Sequence, residues 1–173
     1  MEHQDIRQSI LWQLDDIKDV ERLCYVDRSF NKLCSREFWI HWYNKKGLKM
    51  MKIFNNVEDW INEYRYIEKI QDKTKELMDF LNQEYVLLIY FYIADPDNVF
   101  TDPSLYPFLE KNKGKKIRCE IKKNSIYHIR VVNDDDFIAD NYHNSYYKSL
   151  VSVYPFVFNV LYQGSEIKKY ETY

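Results

Sequence analysis

The residues able to do chemistry are few and scattered. Four histidines stand at His3, His41, His128 and His143. His128, Asp140 and His143 come nearest to an acid–base or metal cluster. They fall on a predicted strand and a loop, which set no ligand spacing, and nothing like HExxH is present. Asp134, Asp135 and Asp136 offer carboxylates to a cation. The alternating acidic positions, central glycine and closing Glu of a calcium loop are missing, so the run reads as a solvated turn. Ser145 and Ser149 lack the glycines of a nucleophile elbow. Gly47, Gly114 and Gly164 are too far apart to form a phosphate-cradling loop. Cys24, Cys34 and Cys119 form no CxxC zinc motif and no disulfide framework. Cys24 and Cys34 read as small core residues on helical faces. No catalytic residue, metal or cofactor is expected, which leaves functions that work by binding.

Aromatic residues make up 17% of the 173 residues, with 16 Tyr and 10 Phe. AT-rich codon usage accounts for such a bias, and an aromatic interaction surface is the alternative. The formal net charge of −2 gives no global argument for nucleic acid or an anionic membrane. One local basic stretch stands out: Lys111, Lys113, Lys115, Lys116, Arg118, Lys122 and Lys123, interrupted by Glu120. With Tyr106, Phe108 and Tyr127 nearby, it is a conceivable nucleic-acid surface. The plainer reading is a strand edge protected by lysines, so nucleic acid is not the expected partner. Lys45, Lys46, Lys49 and Lys52 form a second basic stretch with no acidic neighbour in sequence, as at a helix C-terminus facing the dipole. The first ten residues are too polar for a signal peptide. The longest apolar run, Tyr85 to Ala94, is half a membrane span. The expectation is a soluble protein of a reducing, intracellular compartment, cytoplasmic or nuclear.

The elements that must carry a binding surface follow from periodicity. Ile6, Ile10, Leu11 and Leu14 recur at helical steps, and Asp15-Asp16 breaks the pattern with N-cap chemistry. Val20, Leu23, Val26 and Phe30 or Leu33 form a second stripe. A turn at Ser35-Arg36 leads to Phe38-Trp39 and Trp42-Tyr43. Three short helices are expected, with Gly47 as a C-cap. Asn55-Asn56 opens a long helix marked by Trp60, Ile61, Tyr64, Ile67, Ile70, Leu77 and Leu81, whole or broken near Asp72. The character then changes. Tyr85 onwards reads as a buried strand, SLYPFLEK holds a helical turn, and residues 117–121 and 126–132 form a hairpin. Val151 to Tyr162 reads as one or two strands, with Pro155 at a bulge or edge, and 165–172 is read as pairing back. Helices followed by strands indicate an α+β chain. It is divided into a helical module at 1–50, a helical connector at 51–83 and a β-rich domain at 84–173.

The helical module resembles an F-box-like domain. Ile10-Leu11 and Leu14 match the family's Ile-Leu pair and following Leu. Asp16 or Asp19 with Val20 and Leu23 match its acidic turn and Leu-rich helix. Val26-Asp27-Arg28-Ser29-Phe30 and Leu33-Cys34 match its Val-Cys, polar and aromatic run, with Asp27 in the usual cysteine place. Phe38-Trp39 match its closing aromatic pair. The similarity spans Ile6 to Tyr43. The family's opening Leu-Pro is replaced by His3-Gln4-Asp5. Degenerate modules of this kind are frequent in large DNA viruses with AT-rich genomes.

The resemblance implies a non-enzymatic receptor. Its helical module would dock the Skp adaptor of a cullin ubiquitin ligase, and the rest of the chain would hold a target protein. The implied contact residues are Ile10, Leu11, Leu14, Val20, Val26 and Phe30, with Arg28 at the polar rim. A module of about 40 residues cannot bury its own apolar faces. These residues therefore either meet a partner or pack on the 57–81 helix. A scaffolding protein with a vestigial helical cap, and a small nucleic-acid binder using 111–123, remain the alternatives.

Overall fold

The computed structural model describes residues 2–83, 85–92, 106–122, 126–132, 144–147 and 150–171. The chain is α+β, as its pattern implies. It divides into two units, 1–69 and 70–173. The division falls inside the long helix expected within 51–83, whose first half belongs to one unit and second half to the other.

Unit 1 contains α1 (Glu2–Gln13), α2 (Ile17–Val26), α3 (Arg28–Leu33), α4 (Arg36–Lys45) and the start of α5 (Val57–Asn82). Four short helices replace the three expected, because Asp27 splits the second stripe. Its backbone is extended (φ −129°, ψ 125°), and its carboxylate accepts from the Ser29 amide at 2.7 Å. That is N-cap geometry, and it starts a new helix. Asp16 caps α2 in the same way through the Lys18 amide at 2.8 Å. Gly47 (φ +65°) turns the chain after α4, and the Leu48 amide reaches back to the Tyr43 carbonyl at 2.9 Å. Only glycine holds that left-handed turn without strain.

The core of unit 1 is aromatic. Trp39 stacks on Trp60 at 6.1 Å, Phe38 meets Trp39 edge-on, and Tyr43 and Tyr64 close the cluster. The Tyr43 hydroxyl donates to the Trp60 carbonyl at 3.1 Å. The α4 aromatics therefore bury themselves against the first turns of α5. Such ring pairs add roughly 0.5–1.5 kcal/mol each beyond their buried area.

Unit 2 is a five-stranded sheet, order β4-β3-β2-β1-β5, with β1 (Tyr85–Tyr92), β2 (Lys116–Ile121), β3 (Ile126–Val132), β4 (Asn144–Tyr147) and β5 (Ile167–Glu171). Every pairing is antiparallel. The β2–β3 hairpin matches the sequence reading. Residues 106–111 form the expected short helix, α6. Leu87, Ile89, Ile117, Cys119 and Ile121 face a core completed by Leu77 and Leu81 of α5.

Three strand readings need correction. Residues 150–162 are a helix, α7, not a strand. Val153, Phe156, Val157 and Val160 recur at three- and four-residue steps and pack on the same sheet face as α5. Sheet β-propensity loses here because this exposed apolar face needs a covering layer. Residues 167–171 consequently pair not with 151–162 but with β1. Finally, β2 is an interior strand between β3 and β1, so its basic residues do not protect a sheet edge.

Candidate interaction surface

The candidate surface lies on α1 and the α2–α3 corner. Asp27 holds that corner. Its carboxylate also accepts from the Ser29 hydroxyl at 2.5 Å. The Ser29 hydroxyl and amide, with Arg7 nearby, keep its carboxyl below the usual carboxylate range. Arg7 of α1 stands 5.9 Å from the Phe30 ring centroid, a cation–π contact that sets α1 beside α3. At the other end of α1, Lys45 Nζ reaches Asp15 at 2.8 Å and the Leu14 carbonyl at 2.8 Å. Lys46 Nζ bonds the Asp15 carbonyl. These two lysines, expected to lack acidic neighbours, tie α4 to the end of α1, and Lys45 holds the Asp15 carboxyl below its ordinary range.

The residues assigned to partner contact separate into two groups. Leu11 and Val20 are fully buried and belong to the unit's own core. They are corrected from contact to core residues, because their faces of α1 and α2 turn inward. Ile10 is 45% exposed and Val26 78% exposed. Arg28 is exposed, while Leu14 and Phe30 are half-buried. Ile6, one turn before Ile10 on α1, is 58% exposed and extends the same stripe. It was absent from the sequence assignment, although its i−4 spacing from Ile10 was the signal. Beside the corner is a cleft of about 600 Å³, lined by Tyr25, Asn31, Cys34, Arg36, Ile53 and Trp60 among others.

Cys24 and Cys34 are disulfide-bonded, with Cα atoms 6.1 Å apart. This corrects the expectation of free thiols and removes that argument for a reducing compartment. Both are buried, as expected of core residues. The sequence hid the pair because a ten-residue spacing has no pattern, and the α2–α3 corner alone brings the two together. Cys119 is free and buried, and burial, then Glu120, pushes its thiol up, so it is inert.

Most of the scattered chemical candidates fall outside the described side chains. His41 stacks on Trp12 at 4.2 Å as a packed ring. His128 lies in β3 and Ser145 in β4, with side chains outside those described. Asp134, Asp135, Asp136, Asp140, His143 and Ser149 lie outside the described residues. Among the described residues, no group of three His, Cys, Asp or Glu could hold a metal ion. No described helix is long and apolar enough to cross a membrane. Compared with family models, curated proteins and solved structures, the chain matches none.

Proposed function

We propose that unit 1 is a protein-interaction module of F-box type and that the chain works as a receptor. The module docks the Skp adaptor of a cullin ubiquitin ligase, while unit 2 recruits a target. One observation carries this reading. Ile6, Ile10 and Val26 stay exposed although the unit closes its aromatic core without them. Exposed apolar side chains with charged neighbours in the chain, here Arg7 beside Ile6 and Arg28 two residues after Val26, are the kind of residue that protein-contact sites use. The Asp27 cap fixes the α2–α3 corner, and the Arg7–Phe30 contact sets α1 beside α3. The chain itself would do no covalent chemistry.

The test is capture of the purified adaptor by the full chain, with Ile10→Asp and Val26→Asp as variants. Both positions are exposed, so both variants keep the wild-type melt. The expected result is saturable capture that each variant reduces by at least about tenfold, as for buried interface anchors. Absence of capture at micromolar concentration would overturn the adaptor reading and leave a scaffolding role for the helical cap.

A further inference from the structure

β2 carries Lys116, Arg118, Glu120 and, just beyond it, Lys122 on the sheet face turned away from the core. Edge protection cannot account for them, since β2 pairs on both sides. What stands beside them is aromatic. Register pairs Tyr90 with Arg118 and Tyr92 with Lys116. Lys116 Nζ lies 5.6 Å from the Tyr90 ring centroid, which places both on this face. On the other side of β1, Lys168 pairs with Leu88 and Tyr170 with Val86. Tyr92 is 58% and Tyr170 48% exposed.

We infer that this face binds single-stranded nucleic acid. Tyr90 and Tyr92 are two residues apart on one strand, so their Cα atoms stand about 7 Å apart along it, a spacing that successive splayed bases can follow. Lys116, Arg118, Lys122 and Lys168 supply four cations for the phosphates. Against them stand Glu120 and, ahead of β5, Glu166. Glu120 already holds Lys122 at 3.1 Å and Arg118 more loosely at 3.6 Å. Arg118 Nε is buried with no hydrogen-bond partner among the described residues. A duplex offers no open base faces to such rings, so the single strand is the occupant the aromatics select. The net charge of −2 averages this basic face with the rest of the chain.

The inference is independent of the adaptor reading, since it rests on unit 2. It is tested by fluorescence anisotropy of the full chain with labelled mixed-sequence 12-mers of DNA and RNA, single- and double-stranded, across salt concentrations. Four cations predict a log–log salt slope of about −3 for single strands, and Lys168→Ala reduces it by about 0.7. Tyr92→Ala weakens binding by about tenfold or more, and Tyr92→Phe restores it, because stacking needs the ring and not the hydroxyl. Lys49→Ala, an equal charge change in unit 1, leaves binding unchanged, as does Ile10→Asp. A tighter DNA or RNA arm names the natural strand. No binding at 50 mM salt would overturn the inference. So would duplex binding as tight as single-strand binding, a Tyr92→Ala variant with wild-type affinity, or displacement by an acidic polypeptide at equal charge concentration.

Discussion

Ile10 and Leu11 are neighbours in the chain with opposite environments, because a helix turns about 100° per residue. Leu11 is fully buried, while Ile10 is nearly half exposed. Leu11→Ala is therefore expected to destabilise unit 1 by about 2–5 kcal/mol, seen as a lowered midpoint in denaturant. Ile10→Ala should leave that midpoint within about 0.5 kcal/mol. Equal losses would show that the α1 stripe is packed against the chain itself. Asp27 makes a prediction in pH. Its carboxyl is held below the ordinary value of 3.8 by the Ser29 hydroxyl and amide. A depressed folded value means that its contribution is complete above about pH 4 and is lost as pH falls through the lowered value. Asp27→Asn should therefore lower the melting temperature of unit 1 at pH 7 and flatten its fall with pH below about pH 4. An acid limb identical to wild type would mean that the cap does not couple to folding.

At the scale of elements, α5 and α7 show how far a pattern reads. The α5 periodicity is clean because polar residues separate its apolar ones. Its start is equally legible: Asn56 Oδ1 accepts from the Asp59 amide at 2.8 Å, and Asn56 Nδ2 donates to the Asp59 carboxylate at 2.7 Å. Asn56→Ala should cost about 1 kcal/mol in chemical denaturation. In α7 the inward positions 153, 156, 157 and 160 had the same helical spacing. Tyr154, Phe158, Leu161 and Tyr162 fill the intervening positions and masked the period, and Pro155 suggested a strand bulge. The proline instead sits inside the helix, where its missing N–H and its ring disfavour the preceding turn by about 3 kcal/mol. Pro155→Ala should accordingly raise the melting temperature of unit 2. A lowered melting temperature would mean that the proline ring is itself needed in the packing.

At the scale of the molecule, each half of α5 belongs to a different core, and unit 1 has a covalent tie that unit 2 lacks among its described residues. Closing a loop across ten positions stabilises by about 2–3 kcal/mol, chiefly by restricting the unfolded chain. Reduction with dithiothreitol, or Cys24→Ser with Cys34→Ser, should lower the melting of unit 1 by that order and leave unit 2 unchanged. Tryptophan fluorescence separates the two, because Trp12, Trp39, Trp42 and Trp60 all lie in unit 1. An unchanged tryptophan transition would show that the tie adds nothing to folding.

The amino-acid order by itself determined the α+β class, the helix starts at Asp16 and Asn56, the long helix and the β2–β3 hairpin. Each of these is set by residues within a few positions of one another, through caps, periodicity and turns. Tertiary structure alone decided which of Ile10, Leu11, Leu14 and Val20 face outward. It alone joined Cys24 to Cys34, turned 150–162 into a helix and set Lys116 and Arg118 beside Tyr90 and Tyr92. Those outcomes depend on partners ten to seventy residues away and on which apolar face must be covered. Neither spacing nor propensity carries that information. Both candidate surfaces, the α1 stripe and the basic–aromatic sheet face, belong to this second group, because each is composed of side chains that only folding brings side by side.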